Sequence, residues 1–413
     1  MERQFRFLEG FTEPRWLALW AAMLGFLLDA MDVLFYLFAL QSIRAEFALS
    51  LSQAGLVTAV TMISSSIGGI AGGLLADRVG RRNTLMYTIL VYSLASGGSA
   101  TATGLPSLLF WRALVGLGLG AEWSAGAVLV AEYWPAAHRA KAASFMQSGW
   151  AIGYMAAALL SAAILPAFGW RVLFLIGVFP AVLAFLIRRN VSEPEIWLRG
   201  GARVGIAAIF RPPLGRNTVI ATSLATATLL GYWGLFSWLP GFLSGSRESG
   251  GAGMTIFHSG IWVFAMQAGA YCGYLCFGLL ADRFGRKPPF LLYVLAVAAL
   301  TPLYGLIPTL WPGQADRLLL LLGPVVGFFG TGYFSLFGAM LAELFPTAVR
   351  GTGQGFVYNF GRGVSALAPY FIGAAAERIG LGMALAFNSG FFLLAAVLVA
   401  RLPETRATEL EKP

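Results

Sequence analysis

Gly73 to Leu85 reads GLLADRVGRRNTL, and Gly278 to Phe290 reads GLLADRFGRKPPF. The aspartates in these stretches, Asp77 and Asp282, stand 205 positions apart. A second pair is AEYWPAAHR, ending at Arg139, and AELFPTAVR, ending at Arg350, whose Glu132 and Glu343 are 211 apart. A third is SEPEIW around Pro194 and RLPETR around Pro403, 209 apart. Three offsets near half of a 413-residue chain mark a duplicated unit, and a repeat has to be recognised before any local pattern is assigned to a fold.

The composition says what each unit is made of. The chain is 58% hydrophobic and 11% charged, where a soluble domain carries about 25% charged residues. A bilayer core needs about 20 apolar residues per helical span. Twelve segments meet that length, centred near residues 28, 64, 94, 120, 153, 179, 230, 268, 298, 329, 363 and 391. Lipid offers no partner to unpaired backbone groups, and the apolar runs lack the alternation of a barrel strand, so the spans are helices. The expected fold is an all-α membrane protein of twelve transmembrane helices: an N-terminal six-helix bundle (1–187), a cytoplasmic linker (188–216) and a C-terminal six-helix bundle (217–413). With the N-terminus inside, 21 of the 28 Lys and Arg residues fall on the cytoplasmic side, so both termini are expected in the cytoplasm. The net charge of +9 then reflects topology and calls for no nucleic-acid partner. The charged start MERQFRFLEGFTEPR is unlike a cleavable signal, and the first span is expected to serve as its own insertion signal in a bacterial-type cytoplasmic (inner) membrane. Cys272 and Cys276 lie one turn apart in apolar surroundings, and the sequence places no convincing set of metal ligands around His138 or His258, so no metal or cofactor is expected. No nucleophile stands with a base and no nucleotide loop occurs. An enzyme is therefore not expected; the partners are the bilayer, a small solute and protons, and the chain is read as a monomer.

Parallel six-span repeats are one plan of secondary transporter, with the site near the midplane between the halves. GLLADRVGRR resembles the signature loop of the major facilitator superfamily, and the span count and full-length repeat are similar to that superfamily too. RALVGLGLG (112–120) resembles the R-x-x-x-G-x-G-x-G stretch of sugar porters and organic-anion symporters; Glu132 with Arg139, and PET at 403–405, resemble further sugar-porter motifs. GLGLGAEWSAGA (116–127), GWAIGYMAAALL (149–160) and RGTGQGFVYNFGR (350–362) are similar to sialate and monocarboxylate proton symporters. LDAMD (28–32) resembles the D-x-x-D of aromatic-acid proton symporters. The fifth span lacks the G-P-x-x-G-G type of stretch found in proton-driven drug exporters. The resemblance implies two pseudo-symmetric bundles that alternate in access. It also implies a cytoplasmic latch, built by Gly73, Asp77, Arg78, Gly80 and Arg81, that holds an outward-open state. Asp282, Arg283 and Arg286 form its second copy, where the two prolines of DRFGRKPP predict a different geometry. Glu132, Arg139, Glu343 and Arg350 are expected as gate salt bridges.

Five charges lie inside spans: Asp29, Asp32, Arg112, Glu122 and Arg362. Each would cost roughly 2.5–3.5 kcal/mol at a bilayer centre, so each should face a cavity or a partner. Asp29 and Asp32 share a helical face, and two carboxylates in one low-dielectric site favour uptake of a proton. The resemblance to sugar porters implies that one of them pairs with Arg112. Such a pair can be purely structural or can open when a proton arrives. Glu122 is about 80° around the helix from Arg112, so it is a proton-relay or packing residue facing the first span or another helix. These four are the proton-coupling candidates.

Arg362 shares a face with Tyr358 and Asn359, and no acid accompanies it at mid-depth in the second half. A guanidinium fork matches a carboxylate, so an anionic solute is its expected partner. Gln147, Trp150 and Tyr154 on the fifth span, and Gln267, Tyr271 and Tyr274 on the eighth, follow helical spacing and complete the lining candidates. The functional expectation is a proton-coupled symporter importing a small organic anion: a monocarboxylate, a sialate-like acid or an aromatic acid. The alternatives are a neutral-sugar symporter and a proton-driven exporter.

Overall fold

The computed structural model describes residues 13–182, 186, 190–198, 205–244, 247, 251–254, 256–406 and 408–410, without the side chains of 41, 51–52, 240–241, 244 and 256–261. The expectations for the charged N-terminal stretch, the middle of the linker and the His258 side chain fall outside these residues. The main helices are α1 (Pro14–Phe47), α2 (Leu51–Val79), α3 (Arg81–Ser99), α4 (Leu105–Tyr133) and α5 (Arg139–Ile176) in the first half. The second half holds α6 (Gly215–Phe236), α7 (Ile256–Phe284), α8 (Lys287–Leu310), α9 (Ala315–Thr331), α10 (Ser335–Leu344), α11 (Arg350–Ser365), α12 (Ala368–Ile379), α13 (Leu381–Phe387) and α14 (Ser389–Ala400). No strand occurs among the described residues.

Among the described residues, nine helical segments are long and apolar enough to cross a membrane. One of them, Ala136–Val182, is 47 residues long and is broken at Gly169, whose φ of 73° interrupts α5 just after Pro166. The polar helices α3 and α11 are outside those nine. Eleven of the twelve expected span centres fall on helix, and the sixth, residue 179, falls on the turn at 177–179. Large apolar side chains such as Leu94, Leu159, Phe179, Leu321 and Phe387 are exposed around the outside. In water such a belt would aggregate, whereas lipid is its natural solvent.

Two helix pairs make the most extensive crossings between the halves: α2 with α11, and α5 with α7. Both crossings rely on small residues. A Cβ on Gly355 would stand 2.7 Å from the Gly69 carbonyl oxygen and 2.9 Å from Gly73 Cα. One on Gly278 would stand 2.6 Å from Ser144 Oγ and 2.9 Å from the Ala140 carbonyl. Without side chains in the way, the backbones close to packing distance, as helices do where lipid supplies no hydrophobic drive between them.

The two signature loops are tight turns with the same geometry. Gly80 has φ 108° and Gly285 has φ 102°, a region that L side chains avoid. Glu193 accepts from the backbone N–H groups of Arg81 (2.8 Å), Arg82 (3.2 Å) and Asn83 (3.1 Å) at the start of α3. Glu404 does the same for Arg286 (2.8 Å) and Lys287 (3.1 Å) at the start of α8. Pro288 and Pro289 occupy the first turn of α8, where no N–H is needed, so the expected divergence of the second copy does not occur. The third repeat also shifts in register: the partner of Glu404 is Glu193, whereas alignment on the prolines matches it with Glu195.

Candidate substrate and coupling site

A cavity of about 30 Å³ lies between the halves, lined by Phe26 of α1, Gln147 and Trp150 of α5, Leu229, Tyr232 and Trp233 of α6, Tyr274 of α7, Phe334, and Tyr358 and Arg362 of α11. That is room for about two waters, so any larger solute enters only when the walls move. Arg362 is the one formal charge in this lining. Among the described residues no acid lies within bridging distance of it.

Of the residues expected to line the site, Gln147, Trp150, Tyr274, Tyr358 and Arg362 do so. The others lie elsewhere. Tyr154 stands edge-on to Phe38 at 6.5 Å. Gln267 is buried outside the lining, and Tyr271 is only partly buried. Asn359 is fully buried and its amide nitrogen is occupied: it donates to Ser124 Oγ (3.0 Å) and to the Gly355 carbonyl (3.0 Å), and Ser66 Oγ donates to the backbone carbonyl (2.6 Å). It joins the halves instead of facing solute. Sequence reasoning missed Phe26, Leu229, Tyr232, Trp233 and Phe334. The doublet at 232–233 in LLGYWGLF was the available signal, although aromatic residues in apolar helices pack far more often than they bind.

The coupling candidates form two rungs between α1 and α4. In the outer rung Arg112 Nη1 is 2.9 Å from Asp32 Oδ2, while Ser96 Oγ donates to Asp32 Oδ1. Arg112 also lies over the rings of Tyr36 (5.3 Å) and Phe174 (5.7 Å), which favour a desolvated cation. In the inner rung the Glu122 carboxyl lies against Gly25 of α1, one turn before Asp29, and both acids are buried. Asp29 Oδ1 and both Glu122 oxygens have no donor partner. Ionised carboxyl groups only accept, so these two acids can hydrogen-bond to each other only when one of them carries a proton. Gly25 leaves room for the Glu122 carboxyl, which a Cβ there would strike. Arg112 thus pairs with Asp32, and Glu122 faces the first helix.

At the Arg-rich ends of the helices the repeats form a doubled latch. Asp77 accepts from the backbone N–H groups of Gly351 (3.0 Å) and Thr352 (2.7 Å) and from the Thr352 hydroxyl (2.7 Å), so it caps α11 from the other half. Asp282 accepts from Ala140 (3.2 Å) and Lys141 (3.1 Å) and so caps α5 in return. A carboxylate at a helix N-terminus meets unpaired N–H groups and the positive end of the dipole. Arg81 grips Glu132 through Nε and Nη2, both at 2.9 Å, and Arg350 Nη1 reaches the same carboxylate at 2.6 Å. Arg286 grips Glu343 at 3.1 and 2.7 Å, and Arg139 reaches it at 2.9 Å. Burial works against the Arg286 charge, but Glu343 and Asp282 more than offset it and its pKa is raised. Gly73 lies against Gly351 and Gly355 in the same seam. Arg78 and Arg283 are exposed, and Arg283 rests on Phe284 at 5.1 Å. The signature-loop cations of the latch are therefore Arg81 and Arg286, one turn beyond the aspartates.

The sequence model of the Major Facilitator Superfamily matches residues 22–276 and 251–413. This chain belongs to the major facilitator superfamily. Among relatives of this superfamily member, the probable 4-methylmuconolactone transporter of Cupriavidus pinatubonensis is 33% identical over 95% of this chain and 91% of its own. The cis,cis-muconate transport protein of Acinetobacter baylyi is 31% identical over 91% of each. The solved proton:xylose symporter XylE, bound to 6-bromo-6-deoxy-D-glucose, superposes with a TM-score of 0.79 at 22% identity, covering 97% of this chain and 98% of its own; that likeness shows the fold. The chain is thus a multi-pass transporter of the bacterial inner membrane and not an enzyme.

Proposed function

We propose that this transporter imports a small organic anion together with protons by alternating access. The observation that carries the reading is Arg362, a cation in the wall of the central cavity with no acid bridged to it among the described residues. A solute carboxylate supplies the missing counter-charge in a bidentate contact. The rest of the wall is mostly aromatic, with Gln147 its one amide. That favours a flat, unsaturated or aromatic acid over a polyhydroxylated one, whose many hydroxyls would be left without partners. The names of the muconolactone and muconate transporters agree with this class.

The proton is held by the inner rung, Asp29 with Glu122, while Asp32 and Arg112 stay paired to position α1 against α4. Coupling is electrostatic. Phe26, one turn before Asp29 on α1, shares the cavity wall with Arg362, so a solute carboxylate at Arg362 and a proton on the acid pair neutralise opposite charges in one low-dielectric region. Solute and proton together then leave the midplane with less uncompensated charge than either alone, which is the differential interaction a conformational change requires. The distribution of Lys and Arg assigns the latched face to the cytoplasm, so the closed latch holds the cavity shut on that side. Uptake into proteoliposomes of labelled muconate-type, aromatic, sialate-type and neutral-sugar solutes, with and without an inward proton gradient, tests the reading. Gradient-driven accumulation of acids is expected. Accumulation of neutral sugar, or acid uptake indifferent to the gradient, contradicts it.

A further inference from the structure

One turn from Arg362 toward the latched face, the Tyr358 ring stacks on Trp123 of the other half, with centroids 3.8 Å apart and planes at 19°. Both rings are buried, Trp123 at 1% exposure and Tyr358 at 8%. The Trp123 indole N–H donates to Gln147 Oε1 at 3.1 Å, and Gln147 and Tyr358 are both walls of the cavity. The adjacent residues repeat the crossing, since Ser124 accepts from Asn359. The chain therefore places one ring from each half at the boundary between cavity and latch, tied to the cavity wall through Gln147 and Tyr358.

We propose that Trp123 and Tyr358 are the inner gate of the cavity: the stacked rings part to release solute toward the latched face, and contact of solute with Gln147 and Tyr358 governs that parting. Trp123 is thus a gating residue, acting through its partner ring and Gln147. An aromatic pair contributes enough to shift a two-state opening roughly 2- to 13-fold.

The test uses the full chain with Cys272 and Cys276 replaced by Ser and a single reporter, Leu229→Cys, in the cavity wall. A membrane-impermeant thiol reagent is applied to the latched face, with Arg78→Cys in a parallel sample as the reference for sidedness. Trp123→Ala is expected to raise the labelling rate of the reporter by about 2- to 13-fold. Trp123→Phe, which keeps a stacked ring, should label like the parent. Trp123→Leu, which fills the volume without stacking, should label faster; it also serves if the alanine variant fails to fold and separates an open gate from a hole. A Trp123→Leu protein that is folded and labels at the parental rate overturns the proposal. The readout needs no solute, so its failure leaves the anion reading standing.

Discussion

Gly355→Ala is a small change with a calculable consequence. In the latched arrangement the new methyl would stand 2.7 Å from the Gly69 oxygen, 2.9 Å from Gly73 Cα and 3.3 Å from Gly73 N, all backbone atoms that cannot rotate away. Overpacking of this kind costs about 1–3 kcal/mol. Once α2 and α11 separate, the clash is gone. Alanine also gains up to about 1 kcal/mol over glycine in a helix interior, a gain that cancels between any two arrangements in which α11 stays helical. The net effect is a shift of about 5- to 150-fold toward the arrangement open at the latched face. Thiol labelling of Leu229→Cys from that face should accelerate by at least the lower factor, while thermal stability in detergent falls by no more than the clash. An unchanged labelling rate in a folded Gly355→Ala protein would refute the idea that this seam is the closed contact.

Other outcomes follow from the same contacts. Asp29→Asn supplies an amide donor on the face that meets Glu122 and should stay folded; gradient-driven accumulation is expected to vanish while counterflow exchange persists, and undiminished accumulation would remove Asp29 from coupling. Asp32→Ala strips the buried Arg112 of its counter-ion and should destabilise by about 3–5 kcal/mol, read as a lower melting temperature; an unchanged one would show the outer rung to be dispensable. Glu343→Ala leaves Arg286 and Arg139 without their shared acid and should raise labelling from the latched face more than Arg78→Ala, whose side chain is exposed. At the opposite end, Arg171 and Trp170 bind Glu46 and lower its pKa, the Arg171 hydrogen bond most. Because the folded value lies below the unfolded one, the stabilisation is present above the unfolded pKa and lost as pH falls through the folded value. Melting curves of Glu46→Gln and the parent should therefore differ near pH 7 and converge below about pH 4.

The latch was readable because its residues repeat. Aspartate, glutamate and arginine at matching offsets in two short loops point to one charged structure built twice. Even there, Arg78 proves to be outside the latch: the next residue along a helix points about 100° away, whereas the fourth, Arg81, returns to the Asp77 side. Asp29 and Asp32 were recognisable as buried acids, but spacing could not say which one Arg112 takes, since both share a face; the position of Ser96 and the length of Glu122 decide it. Arg362 announced itself as a charge without an acid. What stayed hidden was long-range: Asn359 meets Ser124 across 235 positions, and nothing in either helix alone tells a bonded amide from a solute-facing one. The aromatic wall was equally silent, because Tyr, Trp and Phe serve packing and binding with the same surface.

If Arg362 is neutralised by the carboxylate of the transported solute, binding has to depend on its guanidinium. Direct binding of a labelled unsaturated or aromatic acid to purified parent, Arg362→Lys and Arg362→Ala proteins tests this dependence. Saturable binding to the parent is expected, with weaker binding to the lysine variant, which keeps the charge but loses the fork, and none to a folded alanine variant. Parental affinity in Arg362→Ala would contradict it.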